Sequence, residues 1–338
     1  KKISDIDNLL VKDVAINILK TKNLPHALLF IGQKGTGKTS TARIFSKAIN
    51  CLNNIYSQKG SSYEPCNICD NCVQIERSSS PDVVELDAAS NRGIDDVRKL
   101  ITESSFLPMS AKFRVFIIDE AHMITPEAFN ALLKTLEEPP KNVIFILATT
   151  NKEKLPKTII SRCLVVNFGK ADAKDIIHML KRITDGEKIQ HEKGLLELIA
   201  RNADYSFRDA AKILEELVTQ EKLTVEKAQK FIGDINQNFL ELLSAKSLPE
   251  MLLWIEEFEQ KDGNFKNLIY SALQDLHVEL MQKALGQNKD VSKFETSHIV
   301  KLMKLLSEAY INMRNTPISS LPLEIAVVEF YNTIGKKK

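Results

Sequence analysis

The sequence predicts an α/β domain built on a parallel sheet, followed by a part that contains helices only. Up to about residue 170, short apolar runs alternate with amphipathic segments, which is the pattern of strands joined by helical crossovers. Beyond that point, apolar residues recur at helical spacing. A glycine-rich loop after the first apolar run further indicates a ligand site at the edge of the sheet.

Four apolar runs are the predicted strands of this sheet. A helix over residues 38–50 follows the first run, and Pro139-Pro140 ends a second helix that begins at about Pro126. The predicted strands are His26–Gly32, Val83–Leu86, Arg114–Ile118 and Val143–Ala148.

The helical part is predicted to contain two groups of amphipathic helices that bury their apolar stripes. Gly233 and a turn near Asn236 indicate a break between the groups. The predicted helices are Ala171–Ile183, Lys193–Asn202, Phe207–Thr219 and Val225–Ile232 before the break, and Met251–Phe258, Phe265–Leu285, His298–Met313 and Leu323–Tyr331 after it.

Composition is that of an ordinary globular protein. The 338 residues are 43% hydrophobic and 27% charged, which is enough apolar material for two or three domains. No apolar run reaches the roughly 18 residues of a membrane span, and no signal-peptide pattern opens the sequence, so we expect a cytosolic protein without a membrane partner. A net charge of +2 disfavours nucleic-acid binding by bulk charge alone and leaves room for a local basic surface.

The segment Gly32–Thr39 reads GQKGTGKT and fits the phosphate-loop pattern G-x-x-x-x-G-K-[ST]. It follows a predicted strand and opens a predicted helix, which a chance glycine-rich turn would not explain. Lys38 would reach the β- and γ-phosphates, and the Thr39 hydroxyl would ligate Mg²⁺. The predicted nucleotide-binding residues are Gly32, Gly35, Thr36, Gly37, Lys38, Thr39 and Ser40.

Two carboxylates end the third predicted strand, in the run Val115–His122 (VFIIDEAH). Asp119 would hold the magnesium through water, and Glu120 would orient the attacking water. The alternative is a pair of solvated carboxylates, which the nearby phosphate loop disfavours. We predict that His122 is a packed or capping residue.

Four cysteines follow the spacing Cys51-x14-Cys66-x2-Cys69-x2-Cys72, and Cys163 stands alone. Short C-x-x-C spacing lets sulfurs converge on one tetrahedral ion, so we predict a structural zinc site in an insertion of about residues 51–76. Reduced free thiols, iron–sulfur ligation and, in a secreted protein, disulfides are the alternatives.

Several longer motifs narrow the class of nucleotide-hydrolysing protein. The sequence from residue 24 to 233 resembles the bacterial DNA polymerase III gamma/tau family of AAA+ clamp-loader ATPases, including its cysteine insertion. The motifs that carry this resemblance are Leu86–Ser90 (LDAAS), Asp119–Ile124 (DEAHMI), Phe129–Pro140 (FNALLKTLEEPP), Leu147–Thr150 (LATT) and Ser161–Cys163 (SRC). The resemblance weakens through the C-terminal helices, where Pro322–Ala326 (PLEIA) resembles the closing segment of the family.

The resemblance implies three domains and further site residues. These domains are a RecA-like AAA+ ATPase domain at 1–168, a small helical lid at 169–234 and a helical collar for oligomerisation at 235–338. Thr150 matches the family's polar sensor, with Asn151 as the alternative, and Arg162 matches an arginine finger that acts in trans. Arg208 matches a second sensor on the lid, although Tyr205 and Ala211 depart from the family pattern. The N-terminus, Lys1–Val14, also lacks the family's usual adenine-enclosing elements.

The family resemblance implies an ATP-driven motor that opens a sliding clamp and loads it onto primed DNA. Its expected cofactors are ATP, Mg²⁺ and Zn²⁺, and its partners are other clamp-loader subunits, the clamp and primer–template DNA. Arg92, Arg98 and Lys99 are candidate contacts to DNA phosphates or simply solvated residues. The alternatives are a delta-prime-like subunit or a scaffold that binds nucleotide without hydrolysis, and a helicase-like motor, in which the cysteine insertion would be unexpected. Intact Lys38 and Glu120 favour a working ATPase.

Overall fold

The computed structural model describes residues 1–21, 23–57, 60–233, 236–260, 265–285, 294–313 and 316–334. The chain divides into two compact units, Lys1–Val225 and Glu226–Lys338. The predicted boundary between lid and collar, at 234/235, lies outside the described residues, and the division into three domains stays a prediction. None of the helices in the described ranges is long and apolar enough to cross a membrane.

A five-stranded parallel sheet forms the centre of the first unit, which confirms the predicted α/β class. The strand order is β2-β3-β4-β1-β5, and every pairing is parallel. The strands are β1 Ala27–Gly32, β2 Val83–Asp87, β3 Arg114–Asp119, β4 Val143–Thr149 and β5 Leu164–Gly169.

The edge strand β5 was not among the predicted strands. Only Val166 and Phe168 of its six residues are buried, so it lacks the continuous apolar run of a central parallel strand. In contrast, all seven residues of β4 are buried.

Helices cover both faces of the sheet. The successive side chains of a strand point to opposite faces, and in β3 Val115 and Ile117 pack into one apolar core, whereas Phe116 and Ile118 pack into the other. The helices up to β5 are α1 Leu9–Thr21, α2 Lys38–Asn50, α3 Asp70–Glu76, α4 Ile94–Ser104, α5 Pro126–Glu137 and α6 Lys157–Ile160. Those that follow β5 are α7 Ala173–Glu187, α8 Leu195–Asn202, α9 Phe207–Thr219 and α10 Val225–Gly233, which begins at the last residue of the first unit.

Helices are the only regular secondary structure among the described residues of the second unit, as predicted. One apolar core joins its helices, and Trp254 stacks on Phe258, with ring centroids 5.4 Å apart. The helices are α11 Asn236–Ala245, α12 Leu248–Gln260, α13 Phe265–Ala284, α14 Thr296–Asn312 and α15 Leu321–Ile334.

A buried aspartate ties the start of β2 to the connection between α4 and β3. The carboxylate of Asp82 accepts hydrogen bonds from the backbone N–H groups of Met109 and Ser110, both at 2.7 Å, and of Ala111 at 2.8 Å. Burial of Asp82 acts to raise its pKa, but these bonds outweigh burial and leave the pKa below its ordinary value. The ionised carboxylate therefore stabilises this connection.

We expect Asp82→Asn to lower the free energy of unfolding at pH 7 by about 1–3 kcal/mol. The substitution replaces one acceptor oxygen with an NH2 group, which would then face a backbone N–H donor. Since the folded pKa lies below the unfolded value of about 3.9, the contribution of Asp82 is present above about pH 4 and is lost as the pH falls through the folded pKa. The gap between wild type and variant in denaturant unfolding should therefore narrow in acid. Exposed Asp13 in α1 provides the control substitution, Asp13→Asn. An equal gap at pH 7 and pH 3 would contradict the assignment.

Candidate functional site

The glycine-rich segment Gly32–Thr39 connects the end of β1 to the start of α2. Gly35 and Gly37 have left-handed backbones, with φ of 80° and 90°, a region that side chains disfavour. A Cβ atom at Gly32 would lie 2.7 Å from Cβ of Phe168 in β5, so the loop passes close to that strand. Helix α2 begins at Lys38, and its free N–H groups lie at the loop.

Two other residues of the predicted phosphate loop lie in different surroundings. Thr36 is buried, and its hydroxyl donates a hydrogen bond to the carbonyl of Gln33 at 2.8 Å. This bond stabilises the turn of the loop. Ser40 is exposed in the first turn of α2.

Lys38 is buried at the centre of the loop, with only 6% of its surface exposed. Its Nζ donates hydrogen bonds to the carbonyl oxygens of Gly32 at 2.9 Å and Gln33 at 2.8 Å. Burial lowers the pKa of Lys38, while the nearby carboxylates of Glu120 and Asp119 oppose that shift. The loop thus surrounds an ammonium group that can pair with phosphate oxygens.

Asp119, the last residue of β3, contacts the phosphate loop directly. Its Oδ2 accepts a hydrogen bond from the Thr39 hydroxyl at 2.6 Å, and its Oδ1 accepts one from the Glu120 backbone N–H at 2.9 Å. A hydroxyl and a carboxylate that meet at one point are the hard oxygen donors that Mg²⁺ prefers. Thr39 and Asp119 therefore fit a magnesium ion that would also bind phosphate oxygens.

Glu120 has a left-handed backbone, with φ 47° and ψ 42°. This conformation costs a non-glycine residue roughly 1 kcal/mol or more. Oε2 of its carboxylate accepts a hydrogen bond from the hydroxyl of Thr150 at 3.2 Å. The strained residue thus links the end of β3 to the end of β4.

The two candidate sensor residues at the end of β4 have different contacts. Asn151 accepts a hydrogen bond from the Glu153 backbone N–H at 3.2 Å, and so caps a short 3-10 turn. Thr150 instead contacts Glu120 of the acidic pair. This arrangement favours Thr150 over Asn151 as the residue that would sense the nucleotide.

Helix α9 begins against the phosphate loop. The Phe207 backbone N–H donates a hydrogen bond to the Gly35 carbonyl at 3.0 Å, and the Ser206 hydroxyl caps the helix. A Cβ atom at Gly35 would lie 2.0 Å from Ser206 Oγ and 3.3 Å from Arg208 Cβ. Arg208 is therefore an exposed residue beside the loop. The sequence analysis identified Arg208 as a site residue. It did not predict the hydrogen bond from Phe207 to Gly35, because a bond between two backbone groups does not depend on side-chain type.

Arg162 lies in the turn that follows α6, with a partly exposed side chain. Its guanidinium donates a hydrogen bond to the Thr158 carbonyl at 2.7 Å and pairs with the carboxylate of Glu137. Within the described ranges, the contacts of Arg162 do not include the phosphate loop or the acidic pair. The guanidinium is held by Glu137 and Thr158 instead, and a role of Arg162 in trans stays a prediction.

The three candidate DNA contacts are exposed at or near the start of α4. Arg98 lies 3.6 Å from the carboxylate of Asp95 one turn earlier, while Arg92 and Lys99 are on the same segment. This exposure fits both DNA contact and simple solvation.

The four clustered cysteines have their sulfur atoms within 4.8 Å of one another. Tetrahedral ligation by thiolates at about 2.3 Å places sulfurs about 3.8 Å apart, so the group fits one zinc ion. Cys51 Sγ accepts hydrogen bonds from two backbone N–H groups, that of Asn53 at 3.4 Å and that of Cys66 at 3.3 Å. Cys66 Sγ accepts one from the backbone N–H of Cys69 at 3.3 Å. Burial acts to raise the pKa of Cys66, yet such bonds lower it to about 6. All five cysteines of the chain are free thiols in this structure.

The chain is similar to known subunits of DNA polymerase III. A family model described as "DNA polymerase III, delta subunit" matches residues 9–172. The tau subunit of Bacillus subtilis is 36% identical over 94% of this chain and 59% of its own length. The gamma subunit of Buchnera aphidicola subsp. Baizongia pistaciae is 32% identical over 94% of this chain and 90% of its own length. A gamma subunit-related protein of Thermotoga maritima has 18% identity and a TM-score of 0.45, over 95% of this chain and 98% of its own.

The extent of these matches identifies the family. This chain spans 59% of the Bacillus tau subunit, which extends beyond the shared region. The Buchnera gamma subunit, in contrast, is matched along almost its whole length at more than 30% identity. The chain therefore belongs to the DNA polymerase III gamma/tau subunit family.

Proposed function

We propose that this chain is an ATP-driven motor subunit of the bacterial clamp loader, which opens a sliding clamp and loads it onto primed DNA during replication. The 2.6 Å hydrogen bond between Thr39 and Asp119 carries this proposal, because it joins the phosphate loop to the acidic pair. Membership of the gamma/tau family supports the clamp-loader role.

The residues of the site have complementary tasks in ATP hydrolysis. The loop's backbone N–H groups and Lys38 bind the phosphates, and Thr39 and Asp119 hold magnesium. Mg²⁺ would supply positive charge to neutralise the phosphate oxygens. Glu120 orients the attacking water in line with the γ-phosphorus.

Three residues would couple the nucleotide state of the site to the arrangement of the subunits. Thr150 contacts Glu120 at the end of β4, and Arg208 on α9 lies beside the phosphate loop. Arg162 would complete the site of a neighbouring subunit, so that hydrolysis depends on assembly. Because each of these residues would contact or sense the γ-phosphate, ATP would favour one arrangement of subunits and its hydrolysis another.

The expected partners are other clamp-loader subunits, the clamp and primer–template DNA, whose phosphates would be contacted without base readout. Zinc on Cys51, Cys66, Cys69 and Cys72 would have a structural role only, because four protein ligands leave no open position. We also propose that the chain has three domains: an ATPase domain at 1–168, a lid at 169–234 and a collar at 235–338. Its proposed location is the cytosol.

A delta-prime-like subunit, or a scaffold that binds nucleotide without productive hydrolysis, is the second candidate. The family model described as "DNA polymerase III, delta subunit", which matches residues 9–172, favours this candidate. This candidate predicts ATP binding without turnover in every mixture of subunits.

ATP turnover by the full-length protein, mixed with its clamp-loader partners, tests these candidates. We expect clamp and primed DNA to stimulate turnover, and Arg162→Ala to lower stimulated turnover by about 10²-fold or more without weakening ATP binding, because the guanidinium stabilises charge in a neighbouring site. Exposed Arg201 in α8 provides the control, Arg201→Ala. ATP binding without turnover in the wild-type complex would establish the scaffold instead, and full turnover by Arg162→Ala would remove the role in trans.

A further inference from the structure

His122 links the acidic pair to the sensor strand, a role that its sequence position did not indicate. It lies in the 3-10 turn Ala121–Met123, two residues after Glu120. Its Nδ1 is 3.1 Å from the hydroxyl oxygen of Thr149 and 3.3 Å from Oε2 of Glu120. Only 11% of the His122 side chain is exposed, so water competes little for these contacts.

The surrounding groups determine which nitrogen of His122 carries the proton. An ionised carboxylate only accepts hydrogen bonds. If Nδ1 carried no proton, its lone pair would therefore face a lone pair of Glu120 Oε2, and the two atoms would repel each other. The Thr149 hydroxyl has an acceptor of its own, the Asn151 carbonyl at 3.3 Å. A proton on Nδ1 therefore satisfies both neighbours: it is donated to Thr149 and attracts the carboxylate of Glu120.

The second donor to the same carboxylate oxygen is Thr150, whose hydroxyl lies 3.2 Å from Oε2. His122 and Thr150 thus approach one oxygen of Glu120 from two segments, the turn after β3 and the end of β4. Within the described part of the chain, no protein group donates a hydrogen bond to the other oxygen, Oε1. The carboxylate is held through one oxygen and presents the other.

We propose that His122 is a positioning residue that fixes the carboxylate of Glu120 through its Nδ1 proton, so that Oε1 is presented to the attacking water. This inference rests on the proposed ATPase function and adds a residue to it. Thr149 anchors the imidazole: it is fully buried, and its Oγ1 also accepts a hydrogen bond from the Asn151 backbone N–H at 3.0 Å. Because anchored donors keep a reacting group in one geometry, their loss lowers turnover more than binding.

Three substitutions at His122 separate positioning from simple packing. Asparagine places an N–H donor near the former Nδ1, glutamine places one near the former Nε2, and leucine supplies neither. We expect His122→Leu and His122→Gln to lower kcat for clamp- and DNA-stimulated ATP hydrolysis by about 10- to 100-fold, with KM for ATP unchanged. His122→Asn should stay within about threefold of wild type.

The assay uses the full-length protein in its clamp-loader complex, with thermal unfolding recorded for each variant. The matched control is His191→Leu, which removes a histidine from the connection between α7 and α8, where its Nδ1 contacts only the Glu192 carbonyl among the recorded bonds. Equal loss in all three His122 variants, in step with a lower Tm, would reduce His122 to a packing residue and overturn the inference. Unchanged kcat in His122→Leu would also overturn it while leaving the ATPase intact, whereas no turnover by the wild-type complex would remove the proposed function itself.

Discussion

Lys38→Ala is expected to lower ATP hydrolysis strongly and to weaken ATP binding. Lys38 Nζ already bonds two carbonyl oxygens of the phosphate loop, those of Gly32 and Gln33. Alanine therefore removes both the cation that would pair with the β- and γ-phosphates and the two hydrogen bonds that Lys38 donates within the loop. We expect turnover to fall by about 10³-fold or more, because charge on the transferred phosphoryl group would lose its stabilisation.

The control for Lys38→Ala lies in the same loop. Lys34 is exposed and forms no hydrogen bond or ion pair with the described residues, so Lys34→Ala should leave turnover and binding near those of wild type. Fluorescent-nucleotide titration measures binding, and release of inorganic phosphate measures hydrolysis. Near-normal turnover by Lys38→Ala would show that ATP is hydrolysed elsewhere in the complex.

Elements with a strong local pattern were predictable from sequence alone. Helix α2 begins and ends at the predicted residues, Lys38 and Asn50, because a glycine precedes it and apolar residues recur on one stripe. The central strands β1, β3 and β4 were found because both of their faces are buried, which requires continuous apolar runs. The edge strand β2 was found from the apolar residues Val83, Val84 and Leu86, although only Val83 is buried. Strand β5 was missed because only Val166 and Phe168 of its six residues are buried and Asn167 interrupts its apolar run.

Within the candidate site, sequence reasoning identified side chains better than it identified their connections. A phosphate-loop pattern specifies the types of Lys38 and Thr39, because their chemistry requires a cation and a hydroxyl. In contrast, the bond from Phe207 to Gly35 joins two backbone groups that any residue type supplies. The contact between His122 and Thr149 was also not predictable, because His122 follows β3 and Thr149 ends β4, and only the pairing of these two strands brings them together.

The cysteine cluster leads to the second large expected effect, the loss of zinc and of local structure in the double variant Cys66→Ser/Cys69→Ser. The insertion that contains these residues is joined to the rest of the first unit. The Tyr56 hydroxyl donates to the Leu19 carbonyl at 2.8 Å, and the Asn71 amide donates to the Asn50 carbonyl at 3.0 Å. A metal that holds the insertion together would therefore also stabilise the C-terminal end of α2.

We expect wild type to contain one zinc ion per chain and the double variant none, because two thiolates cannot complete a tetrahedral structural site. Binding free energy of a structural zinc contributes directly to folding, so the variant should melt several degrees lower and be cleaved faster by protease within residues 51–76. Elemental analysis, thermal unfolding and mapping of the cleavage sites measure these effects. Visible absorption from the purified protein would indicate an iron–sulfur cluster instead.

Cys163→Ser is the matched control, because it removes a thiol outside the cluster. Cys163 is not one of the four cysteines whose sulfur atoms converge on one point, and burial raises its pKa to about 12. The control should retain one zinc ion per chain and its resistance to protease between residues 51 and 76. If the double variant also kept its zinc, the ligands would lie elsewhere. If it lost zinc without any change in melting or cleavage, the core contacts of Tyr56 and Asn71 alone would hold the insertion in place.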